Sequence, residues 1–356
     1  MRKSTVLGLV LATISAWLTM LGLELGVRIH REKVLQVQCS TAYLSNRVRP
    51  VAYDPRLGWI PTPGQFKFSR GWTFNADASG IRSNGRSIST AGRPILAVGD
   101  SFTFGDEVED GETWPAHLEE ILNTRVLNAG AAAYGIDQAF LRAELLLDKY
   151  YPDVVILSFI ADDIGRTEVS YYPYGRGWKP YFEYENRSLV LRNIPVPREP
   201  APTGSGRFQT LRRALGYSCL ADAVLDRIAH RWWQNVPVVN RIHHNGENVS
   251  VDLFVRLDGL TKASSGQFIA IALATDGRLG DDARLRTVVK RAREKGVTVL
   301  DLSTEMLKVP PDQFQNLFLP GGHYSPAMNR SIAEHIAAFL HEVGIRSPSK
   351  RSGPVP

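Results

Sequence analysis

A serine hydroxyl becomes a nucleophile only where a base can take its proton, and two short blocks of this chain offer such a pair. GDSFTFG, residues 99–105, follows the apolar run PILAV and precedes an acidic stretch that leads into a helix-like pattern. A serine at a strand-to-helix turn holds its hydroxyl at the sheet edge, where free N–H groups of the helix start favour a developing oxyanion. Gly99 permits the tight turn, and Asp100 is placed to tie it down. GGHYSPAMN sets His323 in a Gly-Gly turn after the last apolar strand and before the last helix. An imidazole there can reach the same edge and act as general base in acyl transfer. Ser101 can equally be a helix cap, as Ser and Asp commonly are; the partner turns the reading toward chemistry. His117, His335 and His341 fall within helical patterns, and His243 and His244 within an insert, which makes them poorer bases.

These residues need a frame. From residue 94 short apolar runs alternate with amphipathic ones: PILAVG, GETWPAHLEEILN, RVLNAG, IDQAFLRAELLLDKYY, DVVILSF, then QFIAIALA, DDARLRTVVKRAREKG, VTVLDL and SPAMNRSIAEHIAAFLHEVG. Five apolar strands alternating with helices predict an α/β fold, a parallel sheet covered on both faces. Ligands in such sheets bind beyond the carboxyl ends of the strands. Ser101, the loop after Asn128, and Asp162 all fall there. Residues 25–93 read as a stalk and a Pro-, Gly- and Asn-rich lead-in packing on the body, 94–343 as the main domain, and 344–356 as a disordered tail.

An insert interrupts the alternation at residues 165–250. Its second half sets Phe208, Leu211, Leu215, Leu225, Ile228 and Trp232 at helical spacing beside Arg212, Arg213, Arg227 and Arg231. That pattern fits a lid helix with its stripe on the body, or a helix lying on an anionic membrane surface. Trp59, Trp178, Tyr171, Tyr172 and Tyr174 read either as a sugar-binding platform or as subdomain core. Asn186-Arg-Ser and Asn248-Val-Ser match glycosylation sequons, a short pattern that arises by chance.

The totals exclude some classes. In 356 residues a net charge of +6 is spread along the chain, with no basic run of the kind that binds nucleic acid. Cys39 and Cys219 form neither a metal cluster nor a disulfide framework, and leave open one bridge or two free thiols. Arg2 and Lys3 precede the uncharged run Ser4 to Leu23, long enough to cross a bilayer. No small-x-small site ends it, so residues 1–24 read as an uncleaved anchor with the positive end inside.

The ordered blocks GDSFTFG, NAGAAAYG, SFIADDI and GGHYSP resemble those of the SGNH, or GDSL-like, hydrolase family. DPRLGWIPTPG and ASGIRSN resemble the lead-in of its membrane-anchored bacterial branch, including members associated with acylation or deacylation of surface polysaccharides. The resemblance covers residues 54–165 and 267–340 and hardly touches the insert. It implies a flavodoxin-like three-layer fold with Ser101 as nucleophile and His323 as base, and no metal or organic cofactor. It also implies an oxyanion site from the N–H groups of Ser101 and Ala133 and the side chain at Asp162.

Two departures follow. Ala133 stands where the family has glycine, and Asp162 where it has asparagine; an ionised carboxylate repels an oxyanion, so Asp162 must be protonated or turned away. The family acid lies two or three residues before the histidine, where this chain has Gly321 and Pro320. Asp312 is the nearest upstream carboxylate, with Asp301 at the end of the fifth strand, leaving a Ser–His dyad oriented by a backbone carbonyl or a distant acid. Asp163 reads as a cap, and Arg166 as neutralising an aspartate or meeting an anionic substrate. The functional expectation is a serine esterase or acyltransferase on O-acyl groups of a surface or secreted polysaccharide, at the bacterial inner membrane with its domain periplasmic, beside exopolysaccharide assembly proteins. A catalytically impaired glycan-binding or assembly protein and a membrane-lipid esterase are the alternatives.

Overall fold

Short runs of Val, Ile, Leu and Ala buried on both faces have no amphipathic stripe to offer a helix, and here they become the strands of one sheet. In the computed structural model the description covers residues 3–30, 50–68, 71–86, 92–172, 177–198, 211, 215–229, 242, 245–275, 283–306 and 315–345. The lead-in forms two antiparallel pairs, β1 (Val51–Asp54) with β2 (Gly58–Pro61) and β3 (Gly64–Lys67) with β4 (Thr73–Ala76). Then come β5 (Ile95–Val98), β6 (Val126–Asn128) and β7 (Val154–Phe159). Two ribbons follow, β8 (Tyr171–Tyr172) with β9 (Gly177–Trp178) and β10 (Tyr181–Glu185) with β11 (Ser188–Arg192), before β12 (Gln267–Ala272) and β13 (Val299–Asp301).

Five strands make the central sheet in the order β13-β12-β7-β5-β6, all parallel. Strand β5 lies between the two that follow it, so the chain winds one way to β6 and the other way to β7, β12 and β13. That is the flavodoxin-like order, and it opens a crevice past the ends of β5 and β7. Alternate side chains build the two cores. On one face Leu96, Val98, Val155, Leu157 and Ala270 pack with Phe140, Leu147, Phe254, Leu257 and Val288. On the other, Ile95, Ala97, Ile156, Ile269 and Ile271 pack with Leu118, Met328, Ile332 and Ile336.

The 18-residue helix Gly246–Ala263 lies mostly beyond the expected insert and was not among the predicted elements. Its signal was present: Val249, Leu253, Phe254 and Leu257 repeat at helical spacing and are buried in the first core. Gly246 begins it against Ile164, whose carbonyl would lie 2.5 Å from any added Cβ.

Two units divide the chain, residues 1–49 with 201–238, and 50–200 with 239–356. Within the first lies the helix Lys3–Ile29, uncharged from Ser4 to Leu23, whose stretch Thr5–Ile29 is long and apolar enough to cross a membrane. At its far end Glu24 accepts from the Ser218 hydroxyl and from the N–H groups of Cys219 and Leu220, closing the start of the helix Cys219–Ile228. Cys219 is disulfide-bonded, and the chain's one other cysteine, Cys39, is outside the described residues. Of the expected amphipathic stripe, Leu211 and Ile228 are exposed, Leu215 and Leu225 half-buried, while Phe208, Arg212, Arg213, Arg231 and Trp232 lie outside the described residues.

Candidate active site

β5 ends at Val98, and only glycine fits next. A Cβ on Gly99 would meet Thr103 Oγ1 at 2.2 Å and the Ser158 carbonyl at 2.6 Å. Ser101 then opens the short helix Ser101–Phe104, capped by Asp100, whose carboxylate accepts from the Phe102 N–H at 2.9 Å. His323 arrives from the turn before the last helix, held by a hydrogen bond from the Leu319 N–H to the His323 carbonyl at 2.7 Å. Its Nε2 lies 2.9 Å from Ser101 Oγ. Phe102 packs 5.1 Å from the imidazole and 4.7 Å from the ring of Tyr324, whose hydroxyl donates to the Ala274 carbonyl.

On its other side His323 Nδ1 stands 3.0 Å from Glu107 Oε2. The sequence reading missed Glu107 because it sought the acid close before the histidine, and Glu107 lies 216 residues away. The sole signal was the acidic run GDEVEDGE after the nucleophile. Asp106 also approaches, at 3.8 Å from His323 Nε2.

The loop carrying both carboxylates is tied down from beneath. Arg82, fully buried, pairs with Asp110 and donates to the carbonyls of Phe104, Gly105 and Val108, with the Phe104 ring 4.8 Å from its guanidinium. These bonds bracket Glu107, whose backbone is left-handed at φ +74°. Such a conformation persists in a non-glycine residue where its surroundings over-determine it.

The second loop, NAGAAAYG, packs on the helix Ser101–Phe104: a Cβ on Gly130 would sit 2.3 Å from the Phe104 nitrogen. Ala131 N–H donates to the Gly99 carbonyl, Trp59 Nε1 to that of Ala132 and Arg142 Nε to that of Ala129. Trp59 is thus core, 2% exposed, and not a sugar platform. Ala133 takes φ +67°, the left-handed region that glycine favours. Among the described residues the N–H groups of Ser101 and Ala133 donate to no acceptor.

The third loop separates its paired aspartates. Asp162 is 48% exposed at its side chain and faces Arg166 at 3.7 Å. Asp163 is buried, accepts from the Ile160 N–H at 3.0 Å and pairs with Arg166 Nη1 at 2.5 Å. The same Nη1 lies 3.3 Å from Asp100 and donates to the Tyr134 carbonyl. Arg166 therefore joins all three loops, with the ring of Tyr172 at 5.2 Å. Burial pushes the Asp100 carboxyl up despite Arg166; burial and the charge of Asp100 push Asp163 well above the usual carboxylate range. Burial works against the Arg166 charge too, but Asp163 and its neighbours hold that guanidinium more firmly protonated than usual. Tyr171 makes an edge contact with Trp178, and Tyr174 is outside the described residues.

No family model matches the chain, and no curated protein does. Among solved structures, a lipolytic protein of the G-D-S-L family from Desulfitobacterium hafniense DCB-2 aligns at 15% identity over 70% of this chain and 100% of its own, with a TM-score of 0.39. A catalytic mutant of an acetylxylan esterase from Geobacillus stearothermophilus aligns at 14% identity over 74% and 100%, with a TM-score of 0.40. The lipase/acylhydrolase of Enterococcus faecalis aligns at 16% over 71% and 97%, with a TM-score of 0.38.

Proposed function

We propose that this protein is a serine esterase or acyltransferase that acts on O-acyl groups. The observation that carries the reading is Ser101 Oγ within 2.9 Å of His323 Nε2 at the carboxyl edge of a parallel sheet. In this mechanism His323 takes the Ser101 proton as Oγ attacks the acyl carbonyl. The Ser101 and Ala133 N–H groups receive the tetrahedral oxyanion. His323 then protonates the departing alcohol, and an acyl-serine ester remains. Water or a second hydroxyl, deprotonated by the same imidazole, releases the acyl group and restores Ser101. Asp162, exposed and beside a cation, does not supply an oxyanion donor in this scheme.

The membrane-anchored bacterial resemblance of the lead-in supports a surface or secreted polysaccharide as the source of the acyl group. The uncharged run Ser4 to Leu23 after Arg2 and Lys3 supports a single-pass anchor with the catalytic unit outside the cytoplasm. One experiment tests site and side together: full-length protein in spheroplasts is treated with a membrane-impermeant fluorophosphonate, and detergent-solubilised protein with a short-chain nitrophenyl ester. Labelling and turnover are expected for wild type and lost in Ser101→Ala. Equal inertness of the two folded proteins refutes the enzyme reading. Labelling only after the membrane is opened refutes the orientation.

A further inference from the structure

Where the sequence resemblance seeks the acid, this chain has Pro320 and Gly321, and the room beside Gly321 is already filled. A Cβ built there would lie 2.3 Å from each carboxylate oxygen of Glu107. The same carboxylate accepts from the Gly321 N–H at 3.1 Å and from the His323 N–H at 3.4 Å, and faces His323 Nδ1 at 3.0 Å. The histidine turn thus closes around a side chain delivered from the nucleophile loop, 216 residues earlier. Arg82, through three carbonyls bracketing Glu107, fixes that delivery.

We propose that Glu107 is the positioning residue for His323, and that Gly321 lacks a side chain because the Glu107 carboxylate occupies the space a residue at 321 would take. The inference rests on the esterase reading and deepens it. A carboxylate on Nδ1 fixes the tautomer that leaves Nε2 free to accept the serine proton, and stabilises the imidazolium formed during attack. Glu107 does so without touching substrate. One loop therefore carries nucleophile and acid, and the other carries the base alone. The two positions are mutually exclusive homes for one group: a carboxylate at 321 requires an empty 107.

The test is an exchange in the full-length, detergent-solubilised protein, read as kcat and KM on a nitrophenyl ester and as fluorophosphonate labelling rate, with thermal melts alongside. Glu107→Gln is expected to lower kcat by up to ~10⁴-fold while KM moves little. Glu107→Gly, which suits the left-handed backbone at 107, is expected to be as slow. Gly321→Asp alone is expected to be slow as well, because its side chain collides with Glu107. Glu107→Gly combined with Gly321→Asp is expected to recover at least tenfold over either single change, a rescue that a merely structural role for Glu107 does not give. Wild-type activity with Glu107→Gln unimpaired overturns the proposal and leaves the esterase reading intact. So does a folded double variant no faster than Glu107→Gly. Wild type inert at Ser101 fails the esterase reading and takes this proposal with it.

Discussion

Arg166 is one guanidinium serving two buried carboxylates, so its removal is an electrostatic event before it is a steric one. Arg166→Met leaves Asp100 and Asp163 without their cation. Breaking such a buried set is expected to cost about 3–5 kcal/mol at neutral pH. The sign of its pH dependence follows from the raised carboxyls. A folded-state pKa above the unfolded value near 3.9 gives stability that is complete below that value and is lost as pH rises through the folded one. Without Arg166 both groups move further up, so denaturant melts should show the deficit shrinking as pH is lowered from 7 toward 5. A deficit that grows over that range would contradict this account. At this scale the sequence was legible where a residue's placement is set by its neighbours in the chain: Ser101 by Gly99 and Asp100, His323 by its turn. It was not legible for Glu107, whose partner is 216 residues away. Nor could it decide between Asp162 and Asp163, adjacent twins separated only by which of them the helix start turns inward.

Elements sort by whether their pattern is local. The five strands and the helices beside them carry continuous apolar runs or periodic stripes, which a reader of the sequence can mark directly. The lead-in reads as loops and short strands without a partner in view, because its ties are side-chain hydrogen bonds between residues scattered along the sequence: Trp59 to the second loop, Arg82 to the first, Arg142 reaching back to Ser79 and Gly80. Trp59 in the first small hairpin and Arg82 just after the second thus act as a clasp across the loops that carry Ala132 and Glu107. Arg82→Met is therefore expected to destabilise the domain by about 3–5 kcal/mol, since Asp110 is left buried without its cation. At a temperature where the variant is still folded, it is also expected to lower kcat more than it raises KM, because the Glu107 loop loses three carbonyl ties. Turnover and thermal melts on the same preparation check both. Unchanged kcat in a folded Arg82→Met protein would mean the clasp holds shape and not chemistry. The helix Gly246–Ala263 marks the other limit of legibility: its stripe was readable, but the long irregular stretch before it drew the expected insert across its start.

Across the molecule the parallel sheet could be anticipated from alternation and its flavodoxin-like arrangement from the resemblance, while the clasp could not, since nothing in residues 50–86 announces which loops they hold. The whole also has a direction in time. Synthesis runs toward the carboxyl end, so the clasp and Ser101 emerge before the later strands. The imidazole that faces Ser101 comes 222 residues later, just ahead of the final helix Pro326–Glu342. On the proposed reading the nucleophile has no base during most of synthesis, and the reactive pair is born only when that helix docks against the sheet. Chains arrested at increasing length should stay dark to a fluorophosphonate until residues through 342 have emerged. Labelling of a chain stopped before His323 would show a Ser101 activated without it. On the proposed reading Ser101 stays silent while the chain is still being threaded, and becomes reactive once the helix Pro326–Glu342 has docked.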